Sequence, residues 1–279
     1  ALLGPRFAEL YAYATPQPAR GVTVNGLRCT PEWFAAHADF AAALSPFCPT
    51  AFTTAPAFKP GRHPWHHAGV FYAQEPSASA PAALLDVHPG MKVADLCAAP
   101  GGKSFSAAFA MGDKGRIISC DVHGSKLKRI EEGAVRLGLT SIETAASDGR
   151  VFRPEWADAY DTVLVDAPCS GLGIIRKKPD VRYKRADDLF TLPVVQTALL
   201  DNAARYVAPG GVLVYSTCTI LPEENQNVAD AFLSEHPDFE RTPFRLPEPV
   251  GETDGQLTLW PQRHGTDGFY ICRMKRKEL

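Results

Sequence analysis

No stretch of the 279-residue sequence stays apolar for the roughly 18 residues that a membrane-spanning helix needs, and the N-terminus has no signal-peptide pattern. A soluble, cytosolic (cytoplasmic) protein is the default expectation. No C-x-x-C pair occurs, and the seven cysteines (29, 48, 97, 120, 169, 218 and 272) are odd in number and widely scattered. That excludes a zinc ribbon or redox dithiol by motif and favours reduced thiols, each by default a small buried hydrophobe. Internal repeats and low-complexity tracts are also missing. The formal charge of −2 gives no global polyanion-binding signature.

What is present is ordinary globular composition, 45% apolar and 22% charged, with enough length for one large domain and a small appendage. Twelve of the 24 prolines fall in the first 90 residues. That third reads as loop-rich, with an α+β subdomain over 1–68 that has a strand in "RGVTVNGLRC" and a helix over "PEWFAAHADFAAAL". From residue 69, and most clearly after "HPGM", the texture changes. Short apolar runs at 92–96, 116–121, 142–146, 160–166 and 211–216 alternate with helical stretches at about 103–111, 125–137 and 187–206, followed by a helix from Pro222 and a last strand at 268–275. Such alternation predicts right-handed crossovers and a doubly wound, mostly parallel α/β sheet, with ligands beyond the carboxyl ends of its strands.

The loop after the first of these strands, "CAAPGGKS" (97–104), fits a Walker A phosphate loop except where Cys97 replaces the first glycine. "TVLVD" (162–166) matches a Walker B strand, so an NTPase is a real rival. Against it, Pro100 removes one N–H that phosphates need and Cys97 restricts the turn. Aspartates 95, 121, 148 and 166 stand at or after four successive strand ends, where dense negative charge repels a triphosphate. An acid ending the second strand is placed to bind a ribose diol, and one after the third to accept from an adenine amino group. That set suits a cationic adenosyl cofactor such as S-adenosyl-L-methionine.

Two cysteines, Cys169 in "VDAPCSGLG" and Cys218 in "YSTCTILPEEN", follow adjacent strands, which brings both thiols to one pocket. Methyl transfer to oxygen or nitrogen needs no thiol. C5 of a pyrimidine does, because a thiolate adding to C6 turns C5 into a nucleophile that must afterwards lose its proton. The attacking thiol benefits from nearby positive charge or a helix N-terminus, and Pro222 predicts such a helix just after Cys218. The block "IRKKPDVRYKR" carries Arg176, Lys177, Lys178, Arg182, Lys184 and Arg185 around Tyr183 directly after the Cys169 loop, a candidate phosphate-contacting surface, with Tyr183 a candidate base-stacking ring. The basic tail "CRMKRKEL" reads as a solvated face. "RHPWHH" (62–67) has no partner at ligand spacing and reads as a packed aromatic loop, so no metal is expected.

"DLCAAPGGKS", "DAPCSGLG", "YSTCTILPEENQNV", "FYAQEPSAS" and "DGFYICRMK" together resemble the Nop/Sun family of RNA cytosine-5 methyltransferases. "GVTVNGLRCTPEWF" and "HPWHHAGVFYAQEPSA" are most similar to bacterial 16S rRNA methyltransferases of the RsmF type. The resemblance implies a Rossmann-like class I S-adenosylmethionine-dependent methyltransferase domain over 69–279 acting on RNA, with the 1–68 subdomain expected to contact that RNA. It implies that Cys97, Ala98, Ala99, Pro100, Gly101, Gly102 and Lys103 wrap the cofactor, Asp121 holds its ribose, Asp148 meets its adenine and Asp166 borders it. Cys218 would be the nucleophile and Cys169 would assist release, while Asp166 and Lys103 face the target cytosine. Members of this type often carry a further C-terminal RNA-binding domain, and here the chain ends at Leu279 after the last strand. A non-catalytic RNA-binding or assembly factor with the same fold is the other alternative.

Overall fold

The computed structural model describes residue 9 and residues 18–183 and 186–278; Lys184 and Arg185 of the basic block lie outside these. Four short strands, β1 (Gly21–Val24), β2 (Ala41–Leu44), β3 (Ala51–Thr54) and β4 (Phe71–Gln74), form an antiparallel sheet in the order β2-β3-β1-β4. Helix α1 (Pro31–His37) packs on it. The Thr30 hydroxyl accepts from the Trp33 N–H at 3.2 Å to cap this helix. The sequence predicts a helix through residue 44, but the helix stops at His37, and Ala41–Leu44 become β2. Phe34 and Phe40 explain the break. Six residues apart on one helix they point to different sides, whereas the extended chain brings both rings into one core with centroids 5.8 Å apart. Pairing with β3 thus overrides the helix preference of three alanines. The expected division at 68/69 falls before β4, which pairs with β1.

The larger sheet is built from β5 (Lys92–Asp95), β6 (Arg116–Asp121), β7 (Ile142–Ala146), β8 (Tyr160–Asp166), β9 (Val207–Thr217), β10 (Phe239–Arg241), β13 (Gln256–Leu259) and β14 (Phe269–Arg276), with β11 (Phe244–Leu246) and β12 (Gly251–Thr253) pairing separately. Its order is β10-β14-β9-β8-β5-β6-β7, with β13 also on β14. β5 to β9 are parallel, and β14 runs antiparallel to β9. The longer helices of this part are α2 (Gly102–Ala110), α3 (Gly124–Leu137), α4 (Ala186–Ala204) and α5 (Gln226–Glu235), beside single helical turns at Ala80–Ala83 and Pro261–His264.

Alternate residues of the central strands face opposite layers. Val93, Ile117, Leu164 and Val214 meet α2 and α3, while Ala94, Ile118, Val163 and Tyr215 meet α4 and α5. Strands covered on both faces must be apolar on both, hence the unbroken runs in the sequence. The expected doubly wound, mostly parallel Rossmann-like sheet is what forms. β5-β6-β7 step one way and β8-β9 the other, so strand order reverses between β5 and β8. The crevice at their carboxyl ends is the predicted ligand position.

The two parts are bolted together by buried polar contacts. Asn25, fully buried, donates to the carbonyls of Gly69 (2.8 Å) and Leu137 (2.9 Å), and Arg136 donates to the His66 carbonyl (2.7 Å). The basic tail is engaged internally, Arg276 with Asp158 and Asp238 and Arg273 with Asp86. No helix among the described residues is long and apolar enough to cross a membrane.

Candidate active site

Cys169 lies three residues beyond the end of β8 and Cys218 directly follows β9. Parallel pairing of these strands places the two Sγ atoms 3.2 Å apart. Asp166, the last residue of β8, accepts from Lys103 Nζ at 2.6 Å and from Ser216 Oγ at 2.7 Å. Lys103 belongs to the first turn of α2 and stands 5.5 Å from the centroid of the Phe269 ring. The four residues expected at the chemistry, Cys218, Cys169, Asp166 and Lys103, therefore come together.

Their electrostatics are interlocked. Burial works against the Lys103 charge, but the Asp166 carboxylate outweighs it and the lysine pKa rises. The hydrogen bond from the Cys169 thiol lowers the Cys218 pKa and the Lys103 ammonium adds to this, against the opposing effects of burial and Asp166. The same hydrogen bond, burial and the Cys218 charge push Cys169 well up. One thiol is thus set apart as the readier thiolate. The other cysteines on this sheet differ: burial, then nearby aspartates, hold Cys97 well above the ordinary thiol value, and burial pushes Cys120 to about 12 and Cys272 to about 11.

A cavity of about 390 Å³ opens beside this cluster, lined among others by Cys97, Ala99, Asp121, Asp148 and Asp166, with Val122, Val195 and Leu199 as apolar wall. Ala98, Pro100, Gly101, Gly102 and Lys103 complete the turn without being among its lining residues. The turn is shaped by glycine. Gly101 has φ 105°, and a Cβ there would stand 2.6 Å from the Phe105 ring, while one on Gly102 would stand 2.8 Å from Tyr72 of β4. Asp121 accepts from the His123 N–H (2.8 Å) with Lys126 Nζ 3.4 Å away. Asp148 is gripped by Arg150, Nε to Oδ1 at 3.0 Å and Nη2 to Oδ2 at 2.7 Å, which holds its carboxyl below the usual range. Asp95 departs from the expected acidic edge. It is 1% exposed, accepts from Ser104 Oγ at 2.7 Å, and burial pushes it up to about 7.

This wiring argues against a triphosphate, because the two side chains that a P-loop turns to its phosphates, Lys103 and Ser104, are both engaged by aspartates. Carboxylates over apolar walls instead fit a cation with a ribose diol and a flat base. In the histidine loop, His63 packs against Phe40 and Trp65, and no group of three ligating side chains forms a metal site among the described residues. The sequence reading missed Ser216, Lys126, Arg150 and Val195. Ser216 becomes identifiable only from its register opposite Asp166.

Residues 82–275 match the family model for 16S rRNA methyltransferase RsmB/F, and residues 1–76 that for the N-terminal domain of 16S rRNA methyltransferase RsmF. The chain belongs to the RsmB/F family of 16S rRNA methyltransferases. Within that family it is 46% identical over 211 residues to the probable ribosomal RNA small subunit methyltransferase B of Bacillus subtilis, covering 73% of this chain and 47% of that protein. It is 35% identical over 219 residues to the small subunit methyltransferase F of Erwinia tasmaniensis, covering 76% and 46%. The chain spans about half the length of the curated relatives it matches. A methyltransferase homolog from Pyrococcus horikoshii superposes with a TM-score of 0.83 at 29% identity, over 99% of this chain and 92% of that one. The RsmB/F fold is that of the class I, S-adenosylmethionine-dependent methyltransferases.

Proposed function

We propose that the protein methylates C5 of cytosine in RNA, with 16S rRNA as the substrate, using S-adenosylmethionine. The observation that carries this is the Cys169–Cys218 contact beside the Lys103–Asp166 pair at the rim of the cavity. The 97–103 turn holds the cofactor, with Asp121 at the ribose and Asp148, braced by Arg150, at the adenine. When bound, S-adenosylmethionine supplies an electrophilic methyl group. Cys218, as thiolate, adds to C6 of the cytosine and makes C5 nucleophilic. The Lys103 ammonium, held in place by Asp166, stabilises the electron density that this addition sends into the ring. Cys169 then takes the C5 proton, the C6–S bond breaks, and its electron pair returns to Cys218. Family membership supports RNA as the substrate; the paired thiols support carbon methylation, since an oxygen or nitrogen acceptor needs neither.

The target base must be unpaired or flipped to reach the thiols. Lys177, Lys178 and Tyr183, the last 80% exposed, follow the Cys169 loop as an RNA-facing surface. Arg176 is committed elsewhere, to the Thr266 carbonyl and, at 3.6 Å, to Asp267. RNA affinity should fall steeply between low and physiological salt, and a flat response contradicts the surface. Methyl transfer from labelled S-adenosylmethionine to unmodified 16S rRNA transcript tests the reading: Cys218→Ala abolishes it with cofactor binding intact, and near-normal turnover by that variant overturns it.

A further inference from the structure

Two consecutive buried residues, Glu224 and Asn225, are left out of this mechanism, yet each grips the chain around one of the cysteines. Glu224 is 1% exposed and Asn225 fully buried. Glu224 Oε2 accepts from the Ser170 N–H (2.8 Å), the residue after Cys169, and from Gln196 Nε2 (3.0 Å). The same Gln196 nitrogen donates to the carbonyl of Pro168 (3.0 Å), the residue before Cys169. Asn225 repeats the arrangement on the other strand. Its Oδ1 accepts from Thr217 Oγ1 (2.6 Å), and its Nδ2 donates to the Thr219 carbonyl (3.1 Å), so it clasps the residues before and after Cys218. Ser170 Oγ and Thr219 Oγ1, 2.7 Å apart, join the two clasps, and Tyr215 Oη donates to the Glu224 carbonyl at 2.6 Å to fix the turn between them.

This departs from what the sequence predicts at Pro222. Residues Pro222–Glu224 make a single 3₁₀ turn, Asn225 breaks with φ −114° and ψ −100°, and α5 starts only at Gln226. The break aims two adjacent side chains at two different loops, which a continuous helix would not allow. Packing alone does not call for a carboxylate here. Glu224 forms no ion pair among the described residues, and its Oε1, like Oε1 of Gln196, is buried without a hydrogen-bond partner. Such a group is costly to bury. Its charge, behind the Cys218 hydrogen bond, burial and the Cys218 charge, helps keep the Cys169 proton on.

We propose that Glu224 and Asn225 are positioning residues with divided duties, Asn225 setting Cys218 for attack on C6 and Glu224 setting Cys169 for removal of the C5 proton. The inference rests on the covalent mechanism above. Once Cys218 is bonded to C6, the hydrogen bond and charge by which it held the Cys169 proton are gone, and that proton passes to solvent; in the release step the C5–H electrons become the C5–C6 double bond, the proton goes to the Cys169 thiolate, and the C6–S pair leaves on Cys218.

The test follows one turnover and then steady state with labelled S-adenosylmethionine and 16S rRNA transcript, together with a denaturing gel for protein–RNA adduct. Glu224→Met, which removes the acceptor for Ser170 and Gln196 at similar side-chain size, should keep the first turnover, lose steady-state rate on the order of 10²-fold, the loss expected for about 1 Å of misplacement, and accumulate a denaturant-resistant adduct. Asn225→Ala should slow the first turnover by a similar factor and give no adduct alone, and combined with Cys169→Ala it should accumulate adduct about 10²-fold more slowly than Cys169→Ala does. A merely structural role predicts parallel loss of both phases and no adduct in either variant, and that result, or no effect at all, overturns the proposal. If Glu224→Met does not fold, Gln196→Met, which removes the donor shared by Glu224 and Pro168, must accumulate adduct in its place. Adduct in Cys169→Ala but not in these variants defeats this inference alone, whereas no adduct in Cys169→Ala defeats the mechanism beneath it.

Discussion

Asp95→Asn offers a quantitative test of the site's wiring, because the structure places Asp95 inside the core and away from the cofactor rim. Its Oδ2 accepts from Ser104 Oγ at 2.7 Å, Ser104 Oγ accepts from Ser119 Oγ at 2.8 Å, and Oδ1 has no partner. Burial pushes this carboxyl up to about 7, against about 3.9 in an unfolded chain. Between those values the folded protein holds a proton that the unfolded chain has released. The contribution to stability is therefore complete below the unfolded value and is lost as pH rises through 7. At about 1.4 kcal/mol per pH unit, the group contributes about 2.5–3 kcal/mol more at pH 5 than at pH 8. Asparagine keeps the acceptor for Ser104 and cannot ionise. Urea unfolding at a series of pH values should show the variant gaining about 2.5–3 kcal/mol on the parent between pH 5 and pH 8, with an unchanged m-value. A pH-independent difference between the two refutes the buried, proton-holding Asp95.

Lys103→Met removes the ammonium that helps depress Cys218, so the pH limb of Cys218 alkylation, followed by peptide mass spectrometry, should move to higher pH. The variant should also lose about 2–3 kcal/mol of stability, at or below the usual 3–5 for a broken buried pair, because the Asp166 side chain keeps 28% exposure. Gly173→Ala would put a Cβ 2.0 Å from the Gly268 carbonyl oxygen and 2.8 Å from that of Cys218. It should cost about 1–3 kcal/mol or more in melting experiments and suppress adduct formation by displacing Cys218. Phe105→Ala, at a fully buried ring under Gly101 and Gly133, should destabilise by about 3–5 kcal/mol in urea titrations.

The catalytic sheet was legible because its signals are local: apolar runs at 116–121 and 160–166, a glycine turn opening α2, and helices of ordinary length between them. The meeting of Cys169 and Cys218 was legible from topology alone, since adjacent parallel strands deliver their following loops to one place. Less legible were contacts fixed by register or by tertiary packing. Ser216 reaches Asp166 only because β8 and β9 pair in one register. Asp95 reads like Asp121 in sequence, yet Ser104 and burial draw it inward. The alanines of β2 favour a helix, and the strand forms because Phe40 must join Phe34. The short strands between 239 and 259 carry too little periodicity to be read, and the break at Asn225 has no local signal.

The central claim is a transient bond between one sulfur and one nucleobase carbon. Cys169→Ala incubated with 16S rRNA transcript and S-adenosylmethionine, then digested with protease and nuclease, should yield a peptide carrying a methylated cytosine nucleotide on Cys218. Attachment to Cys97 or any other residue, or methylated RNA released with no attached peptide, contradicts the account.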